Sequence, residues 1–319
     1  MSLVEPDEYR IAALVFYSFV FSIGLIVNAT ALWVFSCTTK KRTSVTVYMM
    51  NVALIDLLFI LLMPFRLIYY GKNSWPFGDI FCRINSAFSV FYPCTSLWLF
   101  AVISTDRYMA IVQPKHAKEL KNISKAVMSC IAIWVISSGW TIPVLFLNSD
   151  PDKNSNFTTC LKMHDITHLK EINLLNYARL ILFFLVPMTI MIVCYVVIIH
   201  SLIHGKNSKL KPKVKEKSIK IIVTLIIQIL FCFVPFHVCF TFLLLYNTQQ
   251  FYNPWAAFTT MLMNLSTCLD IILYYIVSKQ FQDRVISVIL YRNYLRSVRR
   301  KSLYSASQRS LSNINSAII

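Results

Sequence analysis

Two carboxylates, Asp56 and Asp270, interrupt otherwise apolar runs of this chain, and their chemistry is the first thing to account for. An ionisable group at membrane depth costs about 2.5–3.5 kcal/mol on insertion scales, so each one needs a purpose. Ser266 and Asp270 are four residues apart and share a helix face. With Asn28 and Ser96 they make an oxygen-rich set suited to a sodium ion at Asp56 or to a proton shared between carboxyls. The same set would serve equally well as hydrogen-bonded glue between helices with no ion. No other cofactor is indicated. Two cations pose the complementary question. Arg66 and Arg179 also sit in apolar runs, without an acid nearby in sequence, in the company of Tyr69, Tyr92, Phe183, Phe236 and His237. Unpaired guanidinium forks among aromatic rings suit the head of an acidic amphiphile. Snorkelling of the charged heads toward water is the competing reading. Asp106-Arg107-Tyr108 closes a third such run with adjacent opposite charges, and parting them would free the arginine's donors.

The elements that must position these groups are long. A helix needs about 20 apolar residues to cross the hydrocarbon of a bilayer. Runs that meet this length cover 11–36, 45–70, 82–107, 126–147, 174–203, 217–245 and 254–277. Only helices or closed barrels satisfy every backbone group in lipid, and these runs lack the alternation of barrel strands. The fold class is therefore an all-α membrane protein, a seven-transmembrane helix bundle. Pro64, Pro93, Pro143, Pro187 and Pro235 lie inside the runs, where each removes a backbone hydrogen bond and favours a kink. Segment 278–296 alternates apolar and charged residues at helical spacing, which predicts a short amphipathic helix on the membrane interface.

Charge orients the bundle. Lys40-Lys41-Arg42, the Lys115–Lys125 loop, the lysines from Lys206 to Lys220 and the basic residues after Lys279 share one side. The positive-inside rule then places residues 1–10 outside and the C-terminus in the cytoplasm, as in a multi-pass plasma-membrane protein. The formal charge of +17 is thus topogenic, with anionic membrane lipid as its contact and no nucleic acid as partner. Cys82 and Cys160 both face the oxidising side, where a bridge persists, and they are expected to form a disulfide. On that side only Asn156-Phe157-Thr158 is placed to accept a glycan. The tail, 297–319, is Ser-rich, basic and poor in aromatics, hence expected to be disordered. Its Ser302 and Ser310 are candidate phosphorylation sites; incidental serines in a solvated tail are the alternative.

Taken in order, Asn28, Leu54 with Asp56, Cys82, Asp106-Arg107-Tyr108, Trp134, Cys160, Pro187 with Tyr195, and Cys232-Phe233-Val234-Pro235 resemble the pattern of rhodopsin-like (class A) G-protein-coupled receptors. The resemblance spans nearly the whole chain. It implies ligand binding in the outer half of the bundle and engagement of a heterotrimeric G protein, of the Gi/o class, at the inner end, with arrestin as a further partner. It also implies an activation switch built from Asp106, Arg107, Tyr108, Tyr195, Phe233, Pro235, Asp270 and Tyr274. Segments such as 31–42, 209–218 and 274–281 resemble receptors for acidic lipids of the N-acyl glycine kind. Three departures stand out. The seventh run carries Asp270-Ile271-Ile272-Leu273-Tyr274 without the usual proline, Phe233 replaces the usual tryptophan, and Lys215 stands where the sixth helix often supplies an acid, with Glu216 beside it.

Other classes are poorly served. A transporter, channel or lipid scramblase without G-protein coupling remains the alternative, yet no internal repeat is visible and the chain has only five Gly to break helices at the midplane. Residues 254–277 contain no lysine for a retinal Schiff base, and no H-E-x-x-H or placed Ser-His-Asp set suggests an enzyme.

Overall fold

The computed structural model describes residues 7–39, 42–113, 122–146, 160, 173–204, 212–246 and 254–287. The expected sites at Asn156, Ser302 and Ser310, the tail 297–319, and 288–296 of the expected amphipathic helix lie outside them. Among the described residues every regular element is helical. Seven spans are long and apolar enough to cross a membrane: Glu8–Thr38, Ser44–Lys72, Gly78–Val112, Ile123–Leu145, Leu174–Ile203, Pro212–Leu245 and Trp255–Val277. They are called spans one to seven below.

Two spans run past their hydrophobic limits, for local reasons. Span three gains its first turn from an Asp79–Arg83 ion pair at i,i+4 and from Gly78, whose φ of 75° admits a residue without Cβ most easily. Span six starts at Pro212, a residue suited to a first turn, and continues through an exposed Glu216–Lys220 pair at 2.7 Å. Span two begins at a cap in which the Thr46 N–H donates to Thr43 Oγ1 at 3.3 Å, and breaks between Ile60 and Met63 just ahead of Pro64. Spans five and six each widen into a π-helical turn, Ile181–Leu185 and Ile229–Phe233, two residues before Pro187 and Pro235. A proline lacks the N–H that would close the preceding turn, and the wider turn absorbs the loss.

Span three is the hub, packed against spans two, four, five and six, while span one closes the ring between spans two and seven. Trp134 on span four donates from Nε1 to Asn51 Oδ1 on span two at 2.9 Å. At the start of span three, Cys82 and Cys160 form a disulfide with Cα atoms 5.4 Å apart. It packs on Trp75, whose Nε1 donates to the Gly78 carbonyl at 2.8 Å.

The chain divides into two units, Met1–Val277 and Ser278–Ile319. In the second, the helix expected after the seventh span is present over 279–287, capped where the Phe281 N–H donates to Ser278 Oγ at 3.2 Å.

Candidate functional site

Arg179 arrives at the wall of a cavity at the end of the first helix of span five, Asn173–Leu180, which runs directly into the π-helical segment Ile181–Leu185. Its side chain is buried, with 8% of the residue exposed. The guanidinium carbon lies 4.3 Å from the centroid of the Phe240 ring, a cation–π contact. Among the described residues Arg179 Nη2 has no hydrogen-bond partner. Around it the cavity is lined by Val90, Pro93 and Cys94 of span three, Leu180 and Phe183 of span five, and Phe236, His237 and Phe240 of span six. His237 stacks on Phe184 with ring centroids 4.3 Å apart and planes within 5°. The cavity measures about 10 Å³, barely the room of one water, so an acyl chain seated here has to displace side chains.

Arg66 is held differently. Its Nε donates to Asn85 Oδ1 at 3.3 Å, its Nη2 donates to Ser89 Oγ, and its guanidinium lies 5.2 Å from the Phe59 ring centroid. Asn85 and Ser89, four apart on span three, turn their neutral oxygens to Arg66, and it does not line the cavity. Neither do Tyr69 and Tyr92. Tyr69 packs beside Trp75 and the disulfide. Tyr92 stacks on Phe59 at 4.4 Å and shares a hydrogen bond of 2.6 Å with Ser266. The structure thus brings together Arg179, Phe183, Phe236 and His237, and separates them from Arg66, Tyr69 and Tyr92.

Below the cavity, Phe100 and Phe233 meet edge to face at 5.7 Å. Deeper still, polar groups from five spans converge. The Tyr274 hydroxyl lies 2.7 Å from Asn28 Oδ1 and 3.2 Å from Asp56 Oδ2, one proton facing two acceptors. Asn28 Nδ2 donates to the Thr267 and Gly24 carbonyls, each at 2.9 Å. Gln228 Nε2 donates to Asp270 Oδ1 at 3.0 Å and to the Ser266 carbonyl at 3.3 Å. Among the described residues Asp56 Oδ1, Ser96 Oγ and Gln228 Oε1 are buried without a hydrogen-bond partner. Among the described residues no cluster of three or more His, Cys, Asp or Glu side chains could hold a metal ion. What the cluster offers a cation is two carboxylates plus neutral oxygens.

At the inner end Arg107 pairs with its neighbour Asp106 and is 7% exposed. No span-six acid reaches it among the described residues, since Glu216 is paired with Lys220. Lys217 instead donates from Nζ to the Val277 carbonyl at the end of span seven, at 2.5 Å. Tyr195 shares a 2.7 Å hydrogen bond with Ser104. Both tyrosines expected to act as switches, Tyr195 and Tyr274, are hydrogen-bonded to groups other than Arg107.

The pattern of the 7 transmembrane receptor (rhodopsin family) matches residues 27–274. The chain belongs to that family. It is 67% identical over 315 residues to the N-arachidonyl glycine receptor of Homo sapiens and 69% identical over 316 residues to that of Bos taurus, in both cases covering 99% of this chain and 95% of the relative. It is 30% identical over 283 residues to the lysophosphatidic acid receptor 6 of Mus musculus, covering 84% of this chain and 81% of that one. This is a G-protein-coupled receptor, then, and not an enzyme.

The receptor's departures from the family pattern have structural counterparts. Without a proline, span seven continues unbroken through Asp270 and Tyr274. Phe233 meets Phe100 edge to face and has no polar tip to satisfy. Sequence reasoning missed Gln228, which links spans six and seven. A lone amide inside an apolar run is the same signal that exposed Asp56 and would have found it. It also missed Cys94 and Phe240 in the cavity wall, for which an apolar run gives no signal.

Proposed function

We propose that this receptor binds an acidic lipid of the N-acyl glycine class at the Arg179 cavity and signals through a heterotrimeric G protein of the Gi/o class to lower cAMP. The observation that carries the reading is the unpartnered Nη2 of a buried arginine at the wall of an apolar cavity. A cation so placed costs free energy until an anion meets it, and a carboxylate on an acyl chain fits both the charge and the apolar walls. The names of the relatives, which specify N-arachidonyl glycine, support the choice of anion. The basic segments set the amino end outside and the carboxyl end in the cytoplasm, beside anionic lipid and arrestin. Glycan at Asn156 and phosphate at Ser302 and Ser310 follow from that orientation.

The same reading assigns a sodium ion or a shared proton to the Asp56 cluster. The unpaired oxygens of Asp56, Ser96 and Gln228 favour it over glue alone, because glue would leave fewer acceptors unmet. Agonist binding that changes with sodium in wild type and not in Asp56→Asn supports the ion. The main test is a cAMP and G-protein activation panel in transfected cells given acyl glycines and other acidic lipids. A fall in cAMP that depends on Gi/o and on Arg179 is expected. Silence of every G protein toward every acidic lipid, at normal surface level, refutes the proposal.

A further inference from the structure

We propose that His237 is a second polar reader in the Arg179 cavity, accepting a hydrogen bond from an N–H close to the ligand's carboxylate, so that the site selects N-acyl amino acids over free fatty acids. The inference rests on the Arg179 cavity being the acidic-lipid site. His237 Nδ1 lies 2.9 Å from the Phe233 carbonyl oxygen. A carbonyl only accepts, so the hydrogen of that bond belongs to Nδ1. In a neutral imidazole this leaves Nε2 as an acceptor. Nε2 has no hydrogen-bond partner among the described residues. The ring is fixed from two sides, stacked on Phe184 at 4.3 Å and meeting Phe236 edge to face at 5.1 Å. It therefore presents one acceptor in a set orientation, and the anchoring carbonyl belongs to the π-helical turn that precedes Pro235.

The two polar residues of the cavity are complementary. Arg179 offers donors only, and His237 offers an acceptor. A free fatty acid head brings acceptors only. It can satisfy the guanidinium, but its chain displaces the water-sized space beside the imidazole and leaves Nε2 unmet. An N-acyl glycine carries an amide N–H one methylene from its carboxylate, and so brings the missing donor. Its O-acyl glycolate isostere keeps the charge, the chain and the length but has no N–H. Sites that read a hydrogen bond in this way reject the analogue lacking it because a buried polar group is left unpaired.

The test compares three ligands of one acyl chain (the N-acyl glycine, the O-acyl glycolate and the free fatty acid) in a G-protein activation assay with surface level measured in parallel. Wild type is expected to prefer the amide to the ester by roughly tenfold in potency, the worth of one such hydrogen bond. His237→Phe keeps a flat ring for the stack on Phe184 and should erase that preference, while Arg179→Gln should weaken all three ligands together. Equal potency of amide and ester on wild type overturns the proposal without any variant. So does His237→Phe that reaches the surface and keeps the preference. If Arg179→Gln leaves every potency unchanged, the cavity reading itself fails, which the other arms would not show.

Discussion

Replacing Arg179 by methionine should stabilise the unliganded receptor and blunt its response to acidic lipid at once. A charged group within a span costs about 2.5–3.5 kcal/mol. Its contact with Phe240 at 4.3 Å returns about 2 kcal/mol when desolvated, and Nη2 recovers nothing because no partner meets it. Methionine fills a similar volume without charge, so it should gain about 1 kcal/mol, or roughly 1–2 °C in melting temperature for a protein of this size. The ligand loses a charge-assisted hydrogen bond of about 1.5–3 kcal/mol, a potency drop of roughly ten- to a hundredfold. Melting is read on purified receptor with a thiol-reactive dye, since Cys94, Cys130, Cys194, Cys232 and Cys268 are free and buried until the bundle opens. Potency is read on intact cells. A lower melting temperature with unchanged potency would show that Arg179 is a structural strut, and the argument from its missing partner would be wrong.

Arg66→Met should behave in the opposite way, losing about 1–3 kcal/mol because Asn85 and Ser89 are left without their donor, while the receptor's choice among head groups is retained; altered head-group choice would reinstate Arg66 as a ligand contact. Gln228→Leu removes the amide that donates to Asp270 Oδ1, and its melting temperature should fall by an amount matching about 1–3 kcal/mol; an unchanged melt means the amide is dispensable. Replacing both Cys82 and Cys160 by alanine should cost about 2–5 kcal/mol and deplete receptor at the cell surface, measured by surface labelling, whereas normal surface level and melting would show the bridge to be incidental.

The seven spans were legible because lipid leaves the backbone few options: apolar length alone marks each helix. Their ends were less so. Asp79–Arg83 and Glu216–Lys220 extend helices through charged turns by pairs four apart, a local effect that hydropathy ignores. The disulfide followed from topology, since only two cysteines faced the oxidising side. Arg66 and Arg179 looked alike in sequence and each meets a phenyl ring; what distinguishes them is the neighbouring helix, since Asn85 and Ser89 accept from Arg66 and no described residue meets Arg179 Nη2. The polar core was half visible. Asp56 and Asp270 announced themselves as charges in apolar runs, but the role of Gln228 depends on how span six turns toward span seven, immediately ahead of the π-helical turn Ile229–Phe233. No periodicity in the sequence encodes it.

The most direct test of the account is where the ligand's head sits. A structure of the receptor with a bound N-acyl glycine should place the carboxylate within about 3 Å of the Arg179 guanidinium, with the acyl chain parting Phe183 and Phe236. A carboxylate lodged at Arg66, or at the membrane interface with Arg179 still unpaired, would contradict it.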